Sequence, residues 1–151
     1  MSVFSNFRVR AYGWYCKFNR WRLTRIYGMD IGNNVRVSRR AVLDFSRNPK
    51  GIHIGDNTMV AGNVIVLAHD HVRGIVTDTF IGSYVFLGGG SIIMPGVRIG
   101  NHVVVGSGSV VTKDIPDHSI VVGNPAHVIR TGVVLNDNCQ IIENGTKVQN
   151  I

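Results

Sequence analysis

The chain is short of cysteine, of acid and of long apolar stretches, and each shortage excludes something. Its two cysteines, Cys16 and Cys139, stand in no CxxC or Cys/His spacing, which argues against both a disulfide framework and a zinc knot. Nine Asp and Glu face sixteen Lys and Arg, for a net charge of +7. No uncharged apolar run approaches the roughly 20 residues that span a bilayer, and the N-terminus lacks the apolar core of a signal peptide. The chain therefore reads as cytoplasmic. Its 151 residues suit one domain with a sizeable core and leave no room for a second.

The positive charge is concentrated. Residues 1 to 50 hold eleven Lys/Arg against two Asp, whereas residues 51 to 151 hold five against seven acids. Within residues 1 to 27 there are six Arg/Lys, eight aromatics and no acid. Residues 1 to 30 read as a helical leader in which Phe4, Phe7, Ala11, Trp14, Phe18 and Trp21 follow a three-four spacing and line one face. That face has two readings. It docks on the body of the protein, or it rests on an anionic membrane surface, such as the inner face of a membrane.

From Ile31 the organisation becomes a repeat of six. Ile81, Leu87, Ile93, Ile99, Val105 and Val111 are strictly spaced, and Ile54, Val60 and Val66 precede them in the same pattern, with Ile31, Val37 and Leu43 as a looser first set. An aliphatic residue leads each hexad, glycine often follows, and a small or β-branched residue takes the fifth place. This period is neither helical nor alternating, and it predicts short strands joined by corners. Three hexads make one triangular coil, so Ile81 stacks on Ile99, Leu87 on Val105 and Ile93 on Val111, about 4.8 Å apart. Four coils are predicted, over residues 31–48, 54–71, 81–98 and 99–116, interrupted near "SRNPK" and by the loop "VRGIVTDTF". The fold class is thus an all-β solenoid over residues 31–116, with a segment at 117–151, helix or tail, completing it.

The hexads, closed by "VVTKDIPDHSIVVGNPAHVIR", resemble the hexapeptide-repeat acyltransferases, the family of galactoside, maltose and polysaccharide O-acetyltransferases. The resemblance covers about residues 31 to 130. It implies a left-handed parallel β-helix, usually a homotrimer, with acetyl-CoA in a groove between neighbouring prisms and no metal. It also places the catalytic histidine at the end of the third hexad after Ile54, where His71 stands. A neutral imidazole suits removal of a hydroxyl proton near pH 7. His69, two residues earlier on the same side of an extended strand, is the alternative base or a substrate contact. The same alignment puts the oxyanion donor at the amide of Gly89, with Gly88 and Gly90 beside it, and lines the CoA groove with Ser107, Thr112, Lys113 and Arg130.

On the acceptor side, Asp44 and Ser46 are candidates for binding a sugar hydroxyl, while Arg39 and Arg40 suggest an acidic acceptor. The leader resembles that of enzymes acting on capsule or O-antigen sugars, often on lipid-linked intermediates. The expected function is acetyl transfer from acetyl-CoA to a sugar or polysaccharide hydroxyl. Two other classes share parts of the pattern. A γ-class carbonic anhydrase binds zinc through three histidines, two of them five residues apart, and the histidines at 53, 69, 71, 102, 118 and 127 contain no such pair. A noncatalytic solenoid or nucleic-acid binder is suggested only by the basic pI, and no RNA or DNA module is visible. In the tail, the Asn144-Gly145 step between apolar runs is a candidate hairpin turn.

Overall fold

The computed structural model describes residues 3–148, with side chains from residue 10. Residues 30 to 122 wind into a parallel β-helix of three faces. The first face stacks Asp30–Ile31, Ile52–Ile54, Thr79–Ile81 and Arg98–Ile99. The second stacks Arg36–Val37, Met59–Val60, Phe86–Leu87, Val104–Val105 and Ser119–Val122. The third stacks Val42–Leu43, Ile65–Val66, Ile92–Ile93 and Val110–Val111.

The register is the one the hexads dictate. Ile81 pairs with Ile99, Leu87 with Val105 and Ile93 with Val111. Each hexad-leading aliphatic from Ile31 to Val111 is buried, and so are Val35, Val64, Val85, Val97 and Val103 at the fifth place. Burying a Val, Leu or Ile is worth roughly 1.5–3 kcal/mol, so this column supplies the fold's main driving force. At the corner between the first and second faces, Asn34, Asn57, Tyr84, His102 and His118 all take positive φ. Asparagine tolerates that region; Tyr84, His102 and His118 occupy it as a stack, with ring centroids 4.7 and 5.0 Å apart.

The long interruption leaves the coil at the corner after the third face. His69–Asp70 pairs antiparallel with Ile75–Val76, so the extruded arm begins at His69, earlier than "VRGIVTDTF" suggested. The Thr79 hydroxyl donates to the Leu67 carbonyl (2.6 Å), and the Thr77 amide to that of Ala68 (3.1 Å), closing the base of the arm so that the coil resumes in register.

Helix α1 (Val3–Arg25) lies across the open end of the first coil, but on a different face from the one its aromatic spacing suggested. Trp14, Phe18 and Trp21 are exposed (77%, 62% and 53%), while Asn19 and Leu23 are buried. Ala11 is exposed as well, and the side chains of Phe4 and Phe7 lie outside the described residues. The reason is the edge being covered. The first coil has no strand beneath it, so its carbonyls need donors, and an unpaired buried carbonyl costs roughly 1–3 kcal/mol. The Arg20 guanidinium donates to the carbonyls of Gly32 (2.7 Å) and Ile31 (3.2 Å); the Asn19 amide and Tyr15 hydroxyl reach that of Val37 (3.5 Å each). The docked face is therefore the one carrying Tyr15, Asn19, Arg20 and Leu23.

The C-terminal segment forms strands, and no helix is found among its described residues. His127–Leu135 pairs antiparallel with Ser119–Val122, and Ile141–Lys147 pairs with His127–Leu135. This hairpin turns at residues 136–140, not at Asn144-Gly145, because the Asn136 side chain accepts from the amides of Asn138 (2.9 Å) and Gln140 (3.0 Å). Asn144 and Gly145 lie within the last strand.

Two stacked histidines attach this hairpin to the helix. His118 Nδ1 donates to the Val133 carbonyl (2.9 Å), whereas His102 Nδ1 accepts the Leu135 amide proton (3.2 Å) and so must be unprotonated there. Burial, then the neighbouring His118, holds the His102 pKa below its ordinary value of 6.5. A depressed imidazole pKa means that this attachment contributes fully above the unfolded value, about 6.5, and is lost as pH falls from there toward the folded value. Amide exchange at Leu135 is therefore expected to lose protection as pH falls below about 6.5, beyond the intrinsic exchange trend. His102→Phe, which keeps a stacked ring without the acceptor, is expected to remove that pH dependence.

Candidate functional site

At the corner where the third face ends, the first two coils place an acid beneath a histidine. Asp44 follows the first-coil strand Val42–Leu43; Ala68 and His69 follow the second-coil strand Ile65–Val66 directly above it. The Asp44 side chain is 1% exposed and that of His69 23%. One Asp44 oxygen accepts from the Ala68 amide (3.0 Å) and from His69 Nδ1 in a short contact. The other accepts from the Ser46 hydroxyl (3.0 Å) and amide (3.3 Å). Burial pushes the carboxyl pKa up, but the hydrogen bonds from His69, Ala68 and Ser46 outweigh it and leave the pKa below the usual carboxylate value. Asp44 is thus an ionised, fixed acceptor at neutral pH. It holds the His69 proton on Nδ1 and leaves the Nε2 lone pair directed away from the pair, the arrangement of an oriented general base.

The other expected residues of this corner differ in surroundings. His71 is exposed on the extruded arm, and its ring has no hydrogen-bond partner among the described residues. Asp70 beside it binds Arg73 through the backbone amide (3.0 Å) and Nε (2.6 Å), which fixes the start of the arm. Asp44 and Ser46, expected to bind acceptor, are engaged with His69 and with each other. Thr112 and Lys113 are exposed at the same corner two coils higher.

A second group lies at the corner between the second and third faces. Gly90 donates to the Gly62 carbonyl (3.0 Å) and Gly108 to that of Gly89 (3.0 Å), so residues 62, 89 and 107 form a vertical row. The Gly89 amide makes no hydrogen bond among the described residues, whereas that of Gly88 is engaged with Val105 (2.8 Å). A Cβ on Gly88 would lie 2.6 Å from the Ser107 amide nitrogen, so this glycine is required by the coil above it. Ser107 is exposed in the row, as are Arg39 and Arg40 at the first-coil level. Arg130 sits on the C-terminal hairpin, its Nη1 on the Asn144 carbonyl (2.9 Å).

The expected site residues therefore form two groups, His69/His71 at one corner and Gly89 at the other. About five residues of extended chain separate the corners, roughly 15 Å. One chain does not bring the two groups together. The sequence named both histidines and Asp44 but not the pairing, since the hexads set which strands stack but not which side chains meet where the chain turns the corner. Among the described residues, no three His, Cys, Asp or Glu side chains are grouped to hold a metal ion.

Comparison with known proteins bears on the family and the fold. Residues 78–113 match the family model described as bacterial transferase hexapeptide (six repeats). The Protein CapG of Staphylococcus aureus is 42% identical over 117 residues, covering 71% of this chain and 68% of the relative. A maltose O-acetyltransferase structure from Clostridium difficile 630 is similar with a TM-score of 0.57 and 30% identity, over 78% of this chain and 84% of that one. A galactoside acetyltransferase in complex with coenzyme A gives 0.55 and 27%, over 80% and 72%. With the stacked hexads, the parallel three-faced helix and these similarities in place, the chain belongs to the hexapeptide-repeat acyltransferase family, whose fold is the left-handed β-helix.

Proposed function

We propose that this acyltransferase moves acetyl from acetyl-CoA to a hydroxyl of a sugar or polysaccharide precursor of the capsule, O-antigen or exopolysaccharide type, with His69 as general base. The observation that carries the reading is the Asp44–His69 pair at an exposed, arm-flanked corner. His69 Nε2 takes the hydroxyl proton as the oxygen attacks the thioester carbonyl; Asp44 stabilises the imidazolium that forms. The unpaired Gly89 amide offers a preorganised donor to the oxyanion of the tetrahedral intermediate. The carbon–sulfur bond then breaks, and the imidazolium returns its proton to the departing thiolate. Ser107, Thr112, Lys113 and Arg130 are proposed to line the CoA groove, with the cations toward its phosphates. The register of the family favours His71 for the base, but only His69 has an orienting carboxylate. Turnover of acetyl-CoA against a panel of nucleotide sugars, lipid-linked oligosaccharides and polysaccharide fragments tests the reaction. Within it, His69→Ala should lower kcat about a hundredfold or more, Asp44→Asn should lower it while leaving the KM for acetyl-CoA unchanged, and His71→Ala should stay within a few-fold of the parent. The opposite result for the two histidines returns the role to His71.

The separation of His69 from Gly89 supports a homotrimer in which one copy's histidine corner faces the next copy's glycine corner, closed threefold symmetry giving equivalent sites. Gly89→Pro removes the donating amide. Mixed trimers of inactive His69→Ala and inactive Gly89→Pro chains should regain activity, because some interfaces then pair an intact histidine with an intact amide. Absence of rescue, or a fully active monomer by sedimentation, would sink the shared site.

The outward row of Trp14, Phe18 and Trp21 on α1, beside exposed Lys17 and Arg25, supports a membrane-surface contact that brings the first two coils toward a lipid-linked acceptor. Since α1 also caps the coil, the test keeps the helix. The protein should bind vesicles of phosphatidylglycerol more than those of phosphatidylcholine, with binding weakened by salt and by the triple change Trp14→Ala, Phe18→Ala, Trp21→Ala. A changed oligomeric state in that variant, without vesicle binding by the parent, would make the row a subunit contact instead.

A further inference from the structure

Between α1 and the second-face corner lies a cleft of about 700 Å³, lined by Tyr12, Tyr15, Arg36, Arg39, Arg40 and Gly62 among others. Three guanidinium groups border it, and no acidic residue is among its lining. None of the three arginines is within ion-pair distance of a carboxylate among the described residues, where the ion pairs formed are those of His53, His69 and Arg73. Arg36 reaches the Asp137 carbonyl through Nη2 (3.3 Å), while its buried Nε has no partner. Arg39 lies over the Tyr15 ring, 4.6 Å from its centroid. Three unneutralised cations in a concave wall raise the local potential and leave donors whose hydration an anion can replace.

We infer that this cleft binds the negatively charged group of the acceptor saccharide. The assignment rests on the reading of Gly89 as the oxyanion donor, and the position relative to that residue is its second support. Arg40 accepts from Asn63 through its carbonyl (3.2 Å), and Gly62 accepts from Gly90 (3.0 Å), so the arginine level, the Gly62 level and the Gly89 level follow one another up a single corner. The cleft reaches Gly62, one coil or about 5 Å below the amide of Gly89. A saccharide presenting its reactive hydroxyl at Gly89 thus extends downward into the arginines. Tyr12 and Tyr15 supply flat apolar surface for sugar rings, and the arginine forks suit the paired oxygens of a carboxylate or phosphate. The candidate CoA residues Ser107, Thr112, Lys113 and Arg130 belong to the fourth coil and the C-terminal hairpin, whereas the three arginines belong to the first coil, so the CoA phosphates are not the anion concerned.

Direct binding separates this inference from the acetyl-transfer reading. Trigalacturonic acid, UDP-galactose and the neutral trisaccharide of galactose are titrated into the full chain by calorimetry, without acetyl-CoA. The carboxylated or the diphosphate probe is expected to bind at least tenfold more tightly than the neutral one at low salt, with the preference shrinking as salt rises. Which of the two wins names the anion as a sugar acid or a diphosphate. Arg39→Ala/Arg40→Ala should abolish the preference while leaving the affinity for coenzyme A and the melting temperature unchanged, and Arg39→Lys/Arg40→Lys should restore part of it. Equal binding of all three probes, or a preference that survives the alanine pair, overturns the inference. Anion preference without any acetyl transfer leaves the cleft standing and rejects the proposed reaction.

Discussion

The ladder of backbone hydrogen bonds that sets each coil on the one below, residue opposite residue, is the constraint from which the rest of this structure follows. Its register is enforced by the aliphatic column inside the prism. A slip of one residue would turn Leu87 and Ile93 out of the core and break the aliphatic column. Because the column is so heavily specified, the chain absorbs interruptions as extrusions at corners. The arm after His69 leaves and returns across the Thr79 to Leu67 bond, and the next coil begins in register. The same constraint makes chemistry by vertical adjacency: Asp44 meets His69 because their strands are neighbours in the ladder, although 25 residues separate them in the chain.

A parallel coil has two open ends, and the protein closes them differently. At the N-terminal end, α1 offers donors to edge carbonyls that have no strand to pair with, which is why Asn19, Arg20 and Leu23 face inward and the aromatic row faces out. At the other end, the parallel stack is continued by an antiparallel hairpin, held through the stacked His102 and His118. The closures divide the molecule's charge. The arginine-rich end lies beside the first coil, and the CoA residues expected from the family lie toward the fourth coil and the hairpin.

The corners hold the Asp44–His69 pair and the Gly89 amide, which is unpaired among the described residues, because a corner is where side chains and free amides escape the ladder. This has a geometric consequence. A triangular prism presents its corners on different edges, so within one chain His69 and the Gly89 amide stay on separate edges.

Much of this was legible in the sequence. The strict spacing from Ile81 to Val111 specified coils, faces and stacking partners, because a period of six with a buried first place admits few other arrangements. "HDH", "LGGG" and the arginine pair at 39 and 40 fall at corners of the coils. What the sequence left open was everything decided by contacts between distant segments. Aromatic spacing misassigned the docked face of α1, since hydropathy does not register the demand of edge carbonyls for donors. Asn144-Gly145 looked like a turn, but the Asn136 side chain made a better one eight residues earlier. Sequence alone determined the solenoid and the identity of its corner residues, through local periodicity. Only the tertiary structure chose His69 as the partner of Asp44 and gathered Arg36, Arg39 and Arg40 with two tyrosines of α1 into one cleft, because both depend on which residues the ladder and the cap bring side by side.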